Sequence, residues 1–118
     1  MLLPVSTIEA GLKALKADPA SQILISAIAG LYPDNSRGTP YAITWKKSVA
    51  GDPAGPWPEM VHSCVSASDG SFADPAVRVG ALVDRFGANG FKRSICDDDL
   101  AAALEPVVTR LGALMAAP

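Results

Sequence analysis

Aromatic residues are scarce in this sequence, at 6% of 118 positions, and there is one histidine and a single pair of cysteines. The shortage leaves Ala, Val, Leu and Ile to build the interior, because 49% of the residues are still hydrophobic. An excess of either charge is also missing. A formal net charge of −2 gives no electrostatic reason to expect nucleic acid or an anionic membrane as a partner. No apolar run approaches the roughly 18 residues of a membrane-spanning helix, so no span is expected. Zinc lacks enough soft ligands, and Cys64 and Cys96 lie too far apart for a Cys-x-x-Cys redox pair. No cofactor is expected. The start, Met1-Leu2-Leu3-Pro4-Val5, carries no basic n-region and too short an apolar stretch for a signal peptide. As written, the chain is expected in the cytoplasm.

What is present is organised around Gln22 to Gly30, a near-continuous apolar run with β-branched residues. Asp18-Pro19 bounds it on one side, Gly30 and Pro33 on the other. A short run without alternation suits a strand buried on both faces of a parallel sheet, with a core helix segment as the competing reading. Before it, Ser6 and Glu9 have the spacing of a capping box. Ile8, Leu12 and Leu15 then share one helical face, and Lys13 and Lys16 point away. Asp18-Pro19 ends that helix. After Leu31 comes an irregular insertion reaching Asp74, rich in proline and glycine, with one alternating strand over Tyr41 to Lys46. Asp74-Pro75 opens a second helix whose apolar stripe is Ala76, Val79, Leu82, Val83 and Phe86, and Gly87 stops it. Gly90 to Cys96 is a second, shorter strand, and Asp97-Asp98-Asp99 suits a helix N-terminus. Leu100, Leu104, Val107, Val108, Leu111 and Met115 keep helical spacing, with a kink or a restart at Pro106. The order α-β-insertion-α-β-α predicts an α/β fold over residues 1–118, one domain or domain fragment, with a small, mainly parallel sheet flanked by helices.

Taken together, these pieces resemble the C-terminal half of a von Willebrand factor type A (VWA) domain, with its partly Rossmann-like layering. In that family a helix leads into an apolar strand ending in glycine, here Gln22 to Gly30. A helix, a short strand running into an acidic turn, and an amphipathic helix follow, matching Asp74–Phe86, Phe91–Asp98 and Leu100–Met115. More narrowly, the chain is similar to bacterial extracytoplasmic or lipoprotein-type members. Those carry Ser-Cys before the penultimate helix, as Ser63-Cys64 here, followed by the match at Ala73-Asp74-Pro75-Ala76-Val77-Arg78. Their Phe-Gly, Gly, Ser-Ile-Cys-x-Asp signature is matched by Phe86-Gly87, Gly90 and Ser94-Ile95-Cys96-Asp97-Asp98. The resemblance covers most of the chain and is loose across Leu31–Val61. It implies an extracytoplasmic (periplasmic or secreted) location and a Cys64–Cys96 disulfide. Spacing alone leaves that bridge and two separate buried thiols equally open. Once formed, it closes a loop of about 33 residues, which the chain-entropy model values at roughly 3–4 kcal/mol.

One departure from the family is large. VWA domains bind a divalent cation through an Asp-x-Ser-x-Ser loop with a Thr and an Asp from two other loops. The region bearing those ligands would precede Met1, which makes a fragment boundary there an open reading. Asp34-Asn35-Ser36-Arg37-Gly38 matches the motif only in part and reads as a polar turn, so no metal site is expected. His62 with Ser63 and Ser66 beside it permits a Ser-His-Asp arrangement, although neighbours along the chain rarely have the geometry and no Gly-x-Ser-x-Gly elbow is present. Asp97, Asp98 and Asp99 read as a capping, solvated turn in preference to catalytic carboxylates. Trp45 and Trp57 either anchor a protein partner or fold back over the sheet. The expected function is a non-enzymatic interaction or structural module, a truncated VWA-like domain without its adhesion site. The unpaired edge of its first strand predicts a homo-oligomer. A small hydrolase-like enzyme with its site around His62–Ser66 is the alternative.

Overall fold

A computed structural model describes residues 2–31, 45–46 and 59–116. The elements in chain order are α1 (Val5–Lys13), α2 (Pro19–Gln22), β1 (Ile25–Ala29), β2 (Trp45–Lys46), β3 (Glu59–Met60), β4 (Cys64–Val65), β5 (Phe72–Ala73), α3 (Val77–Asp84), β6 (Gly90–Ser94) and α4 (Glu105–Ala116). Two 3-10 turns, Gly87–Asn89 and Ala101–Ala103, precede β6 and α4. The fold is α/β. Its longest pairing is β1 with β6, parallel, in a register running from Ile25 opposite Gly90 to Ala29 opposite Ser94. The expected parallel arrangement is therefore present. Two short antiparallel pairs, β2 with β3 and β4 with β5, accompany it.

Helix α3 packs against both parallel strands and against α1, giving the order α1, α3, sheet. Side chains alternate along a strand, so Ile25, Ala27 and Ala29 face α3 together with their partners Gly90, Lys92 and Ser94. The fit is close. A Cβ on Gly90 would stand 2.1 Å from the Val83 carbonyl oxygen of α3, so only glycine lets strand and helix approach this way. Lys92, nearly buried at its side chain, reaches Asp84 of α3 at 2.8 Å. The opposite face of β1, bearing Ser26 and Ile28, is exposed. The expectation of a strand buried on both faces is thus corrected: one face is covered by α3 and the other is open. The strand is also shorter than Gln22 to Gly30, because Pro19–Gln22 makes a helical turn capped by the Asp18 carboxylate, which accepts from the Ala20 amide at 3.2 Å.

Three helix-end expectations change as well. Ser6 makes no cap; α1 begins after Pro4 with no side-chain cap. Glu9 instead pairs with Lys13 at 2.7 Å and with Arg85 just past α3 at 2.8 Å, tying the two helices together. Lys13 does not point away: it also donates to the Arg85 carbonyl and lies 5.3 Å from the Phe86 ring centre. Leu15 lies beyond the end of α1 and is exposed, and Val79 of α3 is exposed while Gly80 and Val83 are buried. Asp74 does not cap α3, which starts after Ala76. Gly87 does sit at positive φ (54°) and turns the chain after α3. At the C-terminal end the predicted restart at Pro106 is present, with the 3-10 turn first and Pro106 in the opening turn of α4.

The buried apolar core of the described residues is small: Leu31, Val83 and Ala103. Helix α4 buries no residue fully, and its Val107, Arg110 and Leu114 are only half-buried. Along an adjacent strip that starts at Leu104, the residue just before α4, and continues on the helix, Leu104, Val108, Leu111 and Met115 are exposed by 54%, 66%, 48% and 78%. Most of the predicted insertion, including Tyr41 to Thr44, lies outside the described residues.

Candidate functional site

Because β1 and β6 run parallel, their C-terminal ends share one edge of the sheet, the edge where open α/β folds present ligand-binding loops. Here that edge is covered by the hairpin of β4 and β5. Its turn uses Gly70 at positive φ (72°), a Ser66 amide donating to the Ser71 carbonyl at 2.7 Å, and the Asp69 carboxylate accepting from the Ser71 amide at 2.9 Å. Those bonds from Ser71, with a further one from Ser66, hold the Asp69 carboxyl below the usual carboxylate range. The hairpin is fastened to the strand end by a Cys64–Cys96 disulfide, with Cα atoms 6.0 Å apart, inside the range a disulfide spans. Ser94, the last residue of β6, lies beneath the bridge; its hydroxyl donates to the Cys64 sulfur at 3.2 Å and accepts from the Cys96 amide.

Gly30, just past β1, decides where the chain crosses next. A Cβ there would come within 2.0 Å of the Asp74 carbonyl oxygen, and its own carbonyl accepts from the Ala76 amide at 2.9 Å. The crossing holds Asp74 beside His62. His62 Nδ1 is 2.7 Å from the Asp74 carboxylate, and the imidazole stacks on Phe72 with ring centres 3.7 Å apart. With the proton on Nδ1, the ring donates to Asp74 and leaves Nε2 as the acceptor, the tautomer a hydrolase histidine needs. The structure therefore supplies an Asp–His pair that sequence neighbours alone did not specify.

The nucleophile is another matter. Ser63 is buried (4% exposed), and its hydroxyl donates to the Ala73 carbonyl at 3.0 Å. The Ser66 hydroxyl is bonded to that of Ser68 at 2.8 Å. Neither serine is hydrogen-bonded to His62, so among the described residues the expected three-residue arrangement is reduced to two. The pair as found ties the entry to β4 to the exit from β5, and its side chains stay partly open to water.

The remaining candidates disperse. Asp97 pairs with Arg93 at 2.7 Å, and Asp99 accepts from the Ala102 amide, capping the 3-10 turn and not α4. Trp45 lies in β2 opposite Met60. Trp57 and Asp34–Gly38 lie outside the described residues. Sequence reasoning missed Asn89, which is buried and links three segments. Its amide nitrogen donates to the Ala20 carbonyl at 2.6 Å and the Ile23 carbonyl at 2.9 Å, and its oxygen accepts from Arg110 Nε at 2.7 Å. Asn89-Gly90 gives a turn signal in sequence, and nothing in a dipeptide announces a buried amide. Comparison with protein-family models, with curated proteins and with solved structures finds no match for this chain.

Proposed function

We propose that the chain is a non-enzymatic interaction module that associates with a second copy of itself, a truncated VWA-like domain without the metal-ion-dependent adhesion site and acting outside the cytoplasm. The observation that carries the reading is the exposed row on α4. Leu104, Val108, Leu111 and Met115 follow one another at intervals of four, three and four residues, the spacing of a coiled-coil seam. A seam of this kind is self-complementary, so two copies related by a two-fold axis bury it against each other. Exposed apolar rows on a helix that is otherwise thinly packed mark contact surfaces more often than free ones. The outer edge of β1, unpaired among the described residues, gives a further surface for association. The disulfide supports the extracytoplasmic part of the reading, because such bridges persist in oxidising compartments. Val108→Lys with Leu111→Lys places charge in the seam. Light scattering after size exclusion is expected to show a dimer for the wild type and a monomer for the double variant; a dimer in both refutes the α4 assignment.

The second reading, a small hydrolase-like enzyme, is favoured by one observation, the Asp74–His62 hydrogen bond. It requires the Ser63 hydroxyl to leave the Ala73 carbonyl, or another nucleophile to approach Nε2. A panel of activated esters tests it: turnover that disappears in His62→Ala and Ser63→Ala establishes the enzyme, and turnover unchanged in both removes it.

A further inference from the structure

On the flank of α4 opposite the apolar row, the helix and the open side of the sheet border a shallow, open groove of about 820 Å³. It is lined by Ala88, Phe91, Pro106, Thr109, Arg110 and Ala113, with Glu105 at the same helix end. Apolar surface dominates, and one cation is oriented within it. The orientation comes from Asn89, itself 4% exposed. Two backbone carbonyls accept from its amide nitrogen, which fixes its oxygen as the acceptor for Arg110 Nε. That bond holds the guanidinium in one plane and leaves its two terminal amino groups, which make no hydrogen bond or ion pair among the described residues. Those two groups form the end-on fork that a carboxylate accepts in bidentate fashion.

We infer that this groove binds a small organic monocarboxylate with an apolar body. The carboxylate lies on the Arg110 fork, within reach of the Thr109 hydroxyl, and the apolar body rests on Phe91, Ala88 and Pro106. Glu105 lines the same groove and is not paired with Arg110 among the described residues. Its negative charge disfavours a second anionic group on the ligand, which selects a monocarboxylate over phosphate. A volume of this order lies within the usual range of small-molecule sites. The inference is independent of the dimer reading, because groove and seam occupy opposite flanks of one helix.

The test is a two-dimensional amide NMR titration of the full, disulfide-bonded chain with phenylacetate, phenylacetamide and inorganic phosphate, each to about 10 mM, tenfold above a millimolar dissociation constant. Phenylacetate is expected to give saturable shifts confined to Ala88, Phe91, Thr109 and Arg110. Phenylacetamide is expected to bind at least about tenfold more weakly, because it lacks the charge that the fork recognises. Arg110→Gln, and Arg110→Lys which keeps the charge without the fork, should each abolish saturation. Shifts that are absent or scattered over the surface overturn the inference. So does equal binding of the carboxylate and its amide, a comparison that needs no variant, and so does phosphate matching phenylacetate.

Discussion

Removing the Cys64–Cys96 bridge probes how far covalent fastening supports a domain whose described apolar core is three residues. Cys64→Ser with Cys96→Ser, or reduction, frees two cysteines 32 positions apart. In the chain-entropy model a loop of that length costs the unfolded chain about 12 cal/mol/K, or about 3.7 kcal/mol at 25 °C. A domain this small has a total stability of about 5–15 kcal/mol, so the loss is a large share of it. At roughly 4 °C per kcal/mol, the melting temperature should drop by about 15 °C. Urea unfolding followed by tryptophan fluorescence, with and without reductant, gives the free energy directly, and thermal melts give the second number. The structure adds a local signature. The hairpin of β4 and β5 reaches β6 through the disulfide and the Ser94 hydroxyl, so the Ser63 and Ser66 amides should lose exchange protection before the amides of β1 and β6 do. A loss below about 1 kcal/mol, with hairpin protection unchanged, refutes the reasoning, since it leaves the hairpin held by something other than the bridge.

Other perturbations test separate parts of the fold. Ion pairs to Lys13 and Arg85 hold the Glu9 carboxyl below its ordinary range. A depressed folded-state value contributes stability that is present above the unfolded value, about 4.3, and is lost as pH falls through the folded one. Urea midpoints compared at pH 7 and pH 3 should therefore fall less in Glu9→Gln than in the wild type; equal falls refute the tie between α1 and α3. Gly90→Ala forces a Cβ to 2.1 Å from the Val83 carbonyl, and it should destabilise by about 2 kcal/mol or more in urea unfolding. Gly11→Ala, in α1 with open space around the new Cβ, should instead stabilise by about 0.5–1 kcal/mol in the same assay.

The parts of the fold governed by covalent reach or backbone geometry were legible in the sequence. Pro106 cannot sit in a helix interior, and the chain does restart there; Gly87 does take the left-handed turn; the short apolar strand does lie parallel to the one ending before Cys96. The errors come from choices between local partners. Ser6 and Glu9 have capping spacing, yet two cations, one of them 76 residues away at Arg85, offer Glu9 charge-assisted bonds that an exposed cap does not match. Asp74 has cap chemistry, yet Gly30 brings the chain across the strand end and presents its carboxylate to His62. The apolar run Ile23 to Ile28 carried no sign that α3 covers one face only, since a continuous run does not distinguish the covered face from the open one. The β4–β5 hairpin did carry a signal, Asp69-Gly70 between Val65 and Phe72, hidden inside a stretch treated as irregular. The Asn89–Arg110 link had none, because a buried side-chain bond across 21 positions depends on the finished packing.

The central claim, that two copies join through α4, is tested most directly by sedimentation equilibrium on the disulfide-bonded chain from micromolar concentration to about 1 mM. At the upper limit even an association of about 4 kcal/mol is populated. The account predicts a mass rising to twice that of one chain, and a shift back toward a single chain when Val108 and Leu111 are replaced by lysine. A mass that stays at one chain across the whole range contradicts it.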